Sequence, residues 1–263
     1  MTTTEDTPLF YHVAHDSAYQ HPYTWAYRYE PSLSERGTRC DVCGLGDVFV
    51  TGAYPRFPLS AAVEGGWRYP DVLGSGEYPL LIVSEAMVED WVQDGITGYN
   101  AYPLTIVRAS CAAIRRQTPP QYFHIEVTGR CQLDTEAMGL SVVYNCPKCG
   151  YVEKEPAFNT PFIIRRDSWD GTDLFVSDLS KGVTFCTDRV RALAEKRKWT
   201  NVRFVLPERY WDLDNDDCLT EKTISNTARH RDVQHSATKA SDDSHERRTG
   251  SEARSPEQTR LDL

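Results

Sequence analysis

No stretch of this 263-residue sequence approaches the roughly 20 consecutive apolar residues that a membrane helix requires. The amino-terminal MTTTEDTPLFYHVAHDS has acids where a secretory signal carries a basic region, and it lacks the apolar run that follows one. The expectation is a cytoplasmic protein with no membrane partner. Also missing are the G-x-S-x-G elbow, the phosphate-cradling G-x-x-x-x-G-K-[ST] loop and the H-E-x-x-H zinc helix. No persuasive catalytic set replaces them, so the chain reads as something other than an enzyme.

An excess of positive charge is lacking too. The net charge is −9, and the deficit lies wholly before Thr220, because basic and acidic residues are equally numerous from there on. An acidic body argues against unaided binding to nucleic acid, whose phosphates need a basic footprint, and suits a basic protein partner better. The body offers only short basic clusters: Arg115-Arg116, Arg165-Arg166 and Lys196-Arg197-Lys198.

Large apolar residues almost vanish after Glu221, and a segment of that composition cannot bury enough surface to offset its ordering entropy. Residues 220–263 therefore read as a disordered polar tail, with His230, His235 and His245 solvated in it. Before the tail, 40% hydrophobic and 11% aromatic residues supply ample material for a packed core. The fold class expected for residues 1–219 is a single α+β domain with short strands and at least two helices.

Within that body a weak duplication is visible. LLIVSEAMVEDWVQDGITGYNAYPLTIV (80–107) and GVTFCTDRVRALAEKRKWTNVRFVLPE (182–208) each read as a short apolar segment, a hydroxyl residue followed by an acid, one helix, and a turn into a strand. Ser84 and Thr187 are the expected N-caps, with Glu85 and Asp188 in the first turns. The apolar faces are Met87, Val88, Trp91 and Val92 in the first helix and Val190, Leu193 and Ala194 in the second. Two half-units, about 1–110 and 111–219, follow from this pattern. QYFHIEV (121–127) and GLSVVYNC (139–146) read as strands, GRCQLDTEA as a break, and RYPDVLGSGEYP (68–79) as a long loop.

Eight cysteines are present, four of them in RCDVCG and NCPKCG. A two-residue gap lets a tight turn aim both sulfurs at one point, and Gly44 and Gly150 can take the left-handed conformation that closes such a turn. Neither pair has a second pair of ligands nearby. One ion joining Cys40, Cys43, Cys146 and Cys149 is the preferred reading: a structural Zn2+ in a zinc-ribbon-like site with no open coordination position. A redox pair and lapsed ligands stay open as alternatives. Cys111, Cys131, Cys186 and Cys218 have no ligand spacing and read as small buried hydrophobes. His12, His15 and His21 lie in a Tyr-rich opening and suit stacking or solvation better than a second metal site.

In ERYWDLDNDD (208–217), Tyr210 and Trp211 stand beside Asp212, Asp214, Asp216 and Asp217. Aromatic anchors ringed by acids would make a docking surface for a basic partner, and the competing reading is a solvated end of the folded region.

With both Cys-X2-Cys-Gly motifs placed, the chain resembles the double-CXXCG family of bacterial immunity proteins, a paralogous group best known from myxobacteria. The resemblance covers most of residues 9–208. It runs from LFYHV through RCDVCG, YPRFPLS (54–60), LLIVSEA, NCPKCG and DLF (173–175) to TNVRFVLP (200–207). It implies a cytoplasmic protein that neutralises a cognate toxin by binding it, with the four cysteines as metal ligands. A basic nuclease is the kind of toxin that an acidic body suits. The rival reading is a zinc-ribbon adaptor or regulator that binds nucleic acid or another protein.

Overall fold

Short runs of β-branched and aromatic residues recur along the chain, and strands outnumber helices among the described residues. The computed structural model describes residues 9–15, 22–31, 40–44, 54–75, 80–155 and 160–214. The strands are β1 (Phe10–His15), β2 (Trp25–Glu30), β3 (Leu59–Glu64), β4 (Val72–Ser75), β5 (Leu81–Ser84), β6 (Tyr99–Ala109) and β7 (Tyr122–Val127). They continue with β8 (Gly129–Leu133), β9 (Ser141–Asn145), β10 (Val152–Glu155), β11 (Ile164–Arg165), β12 (Leu174–Ser177), β13 (Ser180–Thr187) and β14 (Val202–Val205). The α-helices are α1 (Glu85–Gln93), the short α2 (Ala112–Arg115) and α3 (Asp188–Arg197). Tertiary contacts divide the chain into Met1–Asn215 and Asp216–Leu263. The second unit, and with it the tail reading and Cys218, lies outside the described residues.

Six strands close a barrel in the order β2-β3-β6-β7-β5-β4. Its joins are antiparallel except β3 with β6 and β2 with β4, the latter closing the barrel through Trp25 opposite Gly74. Ala26, Leu59, Ala61, Leu73, Leu104 and Tyr122 fill it, and the small alanines suit so narrow an interior. A second sheet runs β11-β8-β12-β13-β1-β14, with β8 and β12 parallel. The barrel draws β7 from beyond residue 110, and the sheet draws β1 from the amino end. The two systems are one chain path at Thr128, where β7 leaves the barrel and β8 begins.

The barrel's outer wall and the sheet share a core in which Val83 and Ile125 meet Val13, Leu174 and Cys186 beneath Met87, Trp91 and Val190 of the two long helices. The opposite sheet face buries Phe10, Phe175 and Phe185, with Phe162, Trp169 and Tyr210 packed against them. Both helix caps stand where expected. Ser84 Oγ accepts from Met87 N, whereas the Thr187 hydroxyl makes no cap bond and donates instead to Asp173 Oδ1 at 3.0 Å. Asp71 and Asp173 each hold one cap hydroxyl and reach across to the turn after the other helix. Asp71 Oδ2 accepts from Thr200 N and Oγ1, and Asp173 Oδ2 accepts from Thr97 N and Oγ1.

Three sequence expectations are corrected. GRCQL is a strand: Gly129, Cys131 and Leu133 alternate inward with Arg130 and Gln132 outward, a period-two signal that the glycine and charge had hidden. VLGS, inside the supposed long loop, is β4, buried on both faces by the barrel and the seam core. Val92 points away from the helix's buried face and is 70% exposed, because Met87 and Trp91 alone are buried in α1.

Candidate metal centre

Each Cys-X2-Cys motif folds as a tight turn. Gly44 N donates to Cys40 O at 2.7 Å and Gly150 N to Cys146 O at 3.0 Å, with both glycines left-handed at φ 71° and 70°. The left-handed residue lets the chain leave the turn without covering the sulfurs, and only glycine takes that conformation without a Cβ penalty. Backbone N–H groups then point at sulfur. Those of Cys149 and Lys148 outweigh burial and pull the Cys146 thiol down to about 6, and those of Cys43 and Val42 lower Cys40. The Tyr144 hydroxyl donates to Cys146 Sγ, which pushes the tyrosine up to about 12.

The two turns meet across a sequence separation of 106 residues. Cys40 Sγ lies 3.7 Å from Cys146 Sγ, Cys43 Sγ 3.5 Å from Cys149 Sγ, and all four sulfurs fall within 4.8 Å of one another. A tetrahedron with metal–sulfur bonds of about 2.3 Å has edges of about 3.8 Å, so the cluster has the size of a four-thiolate metal site. Cys40 and Cys146 are buried and Cys43 and Cys149 half-buried. The four cysteines can therefore hold a metal ion. At the rim, Lys148 Nζ meets Asp41 Oδ1 at 2.7 Å, one charge from each turn. Both partners are exposed, and such a pair contributes little stability.

Separate elements deliver the two turns. Cys146 and Cys149 form the tip of the β9–β10 ribbon, where Cys146 N donates to Tyr151 O at 2.8 Å. The chain after the first turn returns at residues 54–58 over one end of the barrel, where an unforeseen polar cluster receives it. Glu126, only 4% exposed, accepts from Arg56 Nε, Asn100 Nδ2 and the Tyr102 hydroxyl. Burial opposes its ionisation, but donors from Asn100, Arg56 and Tyr102 prevail and hold the carboxyl below its ordinary value. His124 is fully buried between the Tyr54 and Tyr102 rings. Its Nε2 donates to Phe57 O at 2.9 Å, which leaves Nδ1 to accept from the Tyr54 hydroxyl. No local sequence signal marks this cluster, since Tyr54, Arg56 and Phe57 stand 67 to 70 residues before the groups they meet, and Asn100 and Tyr102 stand 24 to 26 before Glu126.

The other sequence-nominated residues are scattered. Tyr210 lies in a 3-10 turn, Pro207–Asp214, half-buried with its ring against Phe162 and His12. Nothing is described of the side chains of Trp211, Asp212 and Asp214, and Asp216 and Asp217 lie outside the described residues, as does His21. His12 is buried against Tyr210, and among the described residues the four cysteines are the one group of potential ligands that converges. Cys131 and Cys186 are buried as expected, while Cys111 is half-buried. A cavity of about 170 Å3 lies at the seam between barrel and sheet, lined by His15, Val72, Leu81 and Thr184, away from the cysteines. No helix among the described residues is long and apolar enough to cross a membrane. No protein-family model matches the chain, and no curated protein matches it.

Proposed function

We propose that this protein is a zinc-stabilised immunity protein of the cytoplasm that binds and neutralises a cognate bacterial toxin without catalysing a reaction. The observation that carries the reading is the convergence of Cys40, Cys43, Cys146 and Cys149 on one point. Those residues are the specific part of the resemblance to double-CXXCG immunity proteins, and their meeting supports it. Zinc is the ion that four thiolates at tetrahedral spacing suit best. An inhibitor needs a rigid scaffold and a complementary face, and a metal clamp across distant segments supplies rigidity. We also read β5–α1–β6 and β13–α3–β14 as pseudo-repeats, because Asp71, Ser84 and Thr200 play the same parts as Asp173, Thr187 and Thr97.

Two experiments test this. In the first, the gene immediately upstream of this one is expressed alone and together with it while growth is followed. Arrest by the neighbour and rescue by this chain is the expected result; a harmless neighbour, or toxicity that is not relieved, overturns the immunity reading. In the second, elemental analysis of the purified protein is expected to find zinc. Chelation, Cys40→Ser or Cys146→Ser should then lower the melting midpoint by about 10 °C or more, because metal affinity is folding free energy. A melt indifferent to all three overturns the metal clamp.

A further inference from the structure

Several of the chain's cations are paired with acids. Arg165 pairs with Asp167, Arg197 with Asp90, Lys196 with Asp94, Arg191 with Asp188 and Glu195, and Arg189 with Asp173. In two of the three basic clusters seen in the sequence, Arg165, Lys196 and Arg197 are thereby paired with nearby acids. Arg28, Arg68, Arg108, Arg115 and Arg116 are all exposed, and none has an acidic partner among the described residues.

These five are not scattered. Arg108 stands opposite Ala62 on β3, and Arg28 occupies a bulge beside the Tyr27–Ala62 pair, with its guanidinium over the Tyr27 ring. The two arginines thus flank one strand, about 10 Å apart. Arg115 and Arg116 sit at the end of α2, directly after β6. Gln117 Nε2 then donates to Trp67 O at 2.9 Å, which ties that end to the turn carrying Trp67 and Arg68. The turn is braced. Trp67 N and Arg68 N both donate to Pro22 O, and a Cβ on left-handed Gly66 would run into the Tyr23 carbonyl. On this platform the Trp67 side chain stands 53% exposed. The nearest carboxylates by register are Glu64, which accepts from Trp25 Nε1, and Glu30 at the far end of β2.

From this wall we infer a binding surface for single-stranded nucleic acid, with the five arginines on phosphates and Trp67 stacked on a base. An unpaired guanidinium cluster around one exposed aromatic ring is the combination that tracks a polyanion while holding its bases. An acidic protein would also answer the charge, but a protein interface wants a desolvated apolar core, and here Trp67 and Val107 are the exposed large apolar side chains. The net charge of −9 does not veto the surface, because screening confines the field of distant acids to about 8 Å at physiological salt. The inference goes beyond the toxin-binding reading and does not depend on it.

The test uses the full-length protein and a fluorescein-labelled single-stranded RNA of about 20 nucleotides of mixed sequence, followed by anisotropy. Binding is expected at about 50 mM salt and should weaken about a hundredfold by about 200 mM, as five phosphate contacts on a single strand require. R115Q/R116Q should weaken it at least about tenfold, and Trp67→Ala several-fold with loss of the tryptophan quench. Arg165→Gln, at an exposed but paired arginine, should leave it unchanged. No binding at low salt overturns the inference. So does equal weakening by Arg165→Gln, or competition by polyglutamate as effective as that by unlabelled RNA. Unaltered melting curves of the variants keep a binding loss from being a folding loss.

Discussion

His12 shows at the residue scale what burial does to a titratable group. Its ring is 7% exposed against Tyr210, and Nδ1 has no hydrogen-bond partner among the described residues. Loss of solvation, reinforced by the Arg203 and His15 charges, pulls its pKa from 6.5 down to about 3. The unfolded chain therefore binds a proton between those values that the folded chain refuses. The contribution of His12 is intact above about pH 6.5 and drains away as pH falls towards 3. The protein is expected to be about 2 kcal/mol less stable near pH 5 than near pH 7 from this group alone. His12→Phe should remove that part of the slope, as read by urea unfolding at both values. A slope unchanged by the substitution would mean that His12 is protonated in the fold. The sequence marked His12 only as one of three histidines in a Tyr-rich run, because burial is a property of the sheet around it.

At the scale of elements, the two helices were legible because their evidence is local. A cap hydroxyl, an acid in the first turn and apolar residues at helical spacing lie within a dozen positions of one another. β4 and β8 were not legible, since each owes its place to partners elsewhere in the chain. Gly129 opens β8 where Thr172 and Leu174 press closest, and a Cβ there would run into Leu174 O and Thr172 Oγ1. Gly98 meets the same carbonyl from the other side. Gly129→Ala is therefore expected to cost about 2–3 kcal/mol, against about 1 kcal/mol for Ala at Gly139, which is left-handed at φ 63° but has open space around it, measured by chemical denaturation. Equal costs at the two sites would show that the backbone yields at Gly129. The Asp71 and Asp173 bonds belong to this scale as well. Each carboxylate fixes one helix start and the turn after the other helix, so the helices are set by each other as much as by their own caps.

In the whole molecule, three cores and one cysteine cluster tie residues far apart in the chain. The barrel and sheet exchange strands across the midpoint, and the two Cys turns meet over 106 residues. The three described cores are built from residues within Met1–Asn215, so removing residues 221–263 should leave the melting midpoint within about 1 °C of the full chain. A fall of several degrees would show that the segment is part of the folded unit. The sequence by itself determined the two Cys-X2-Cys turns, the left-handed glycines behind them, the two capped helices and the mixture of helices with short strands. Each of these rests on residue type and spacing within a few positions, which the chain carries wherever it goes. Only the tertiary structure decided that the barrel closes, that Glu126 and His124 hold Arg56 and Phe57, and that five arginines lie near Trp67 while Arg165, Lys196 and Arg197 meet acids. These depend on strand register and on which acid ends beside which base. Contacts between distant segments are selected by the packing of the whole, and no local pattern encodes them.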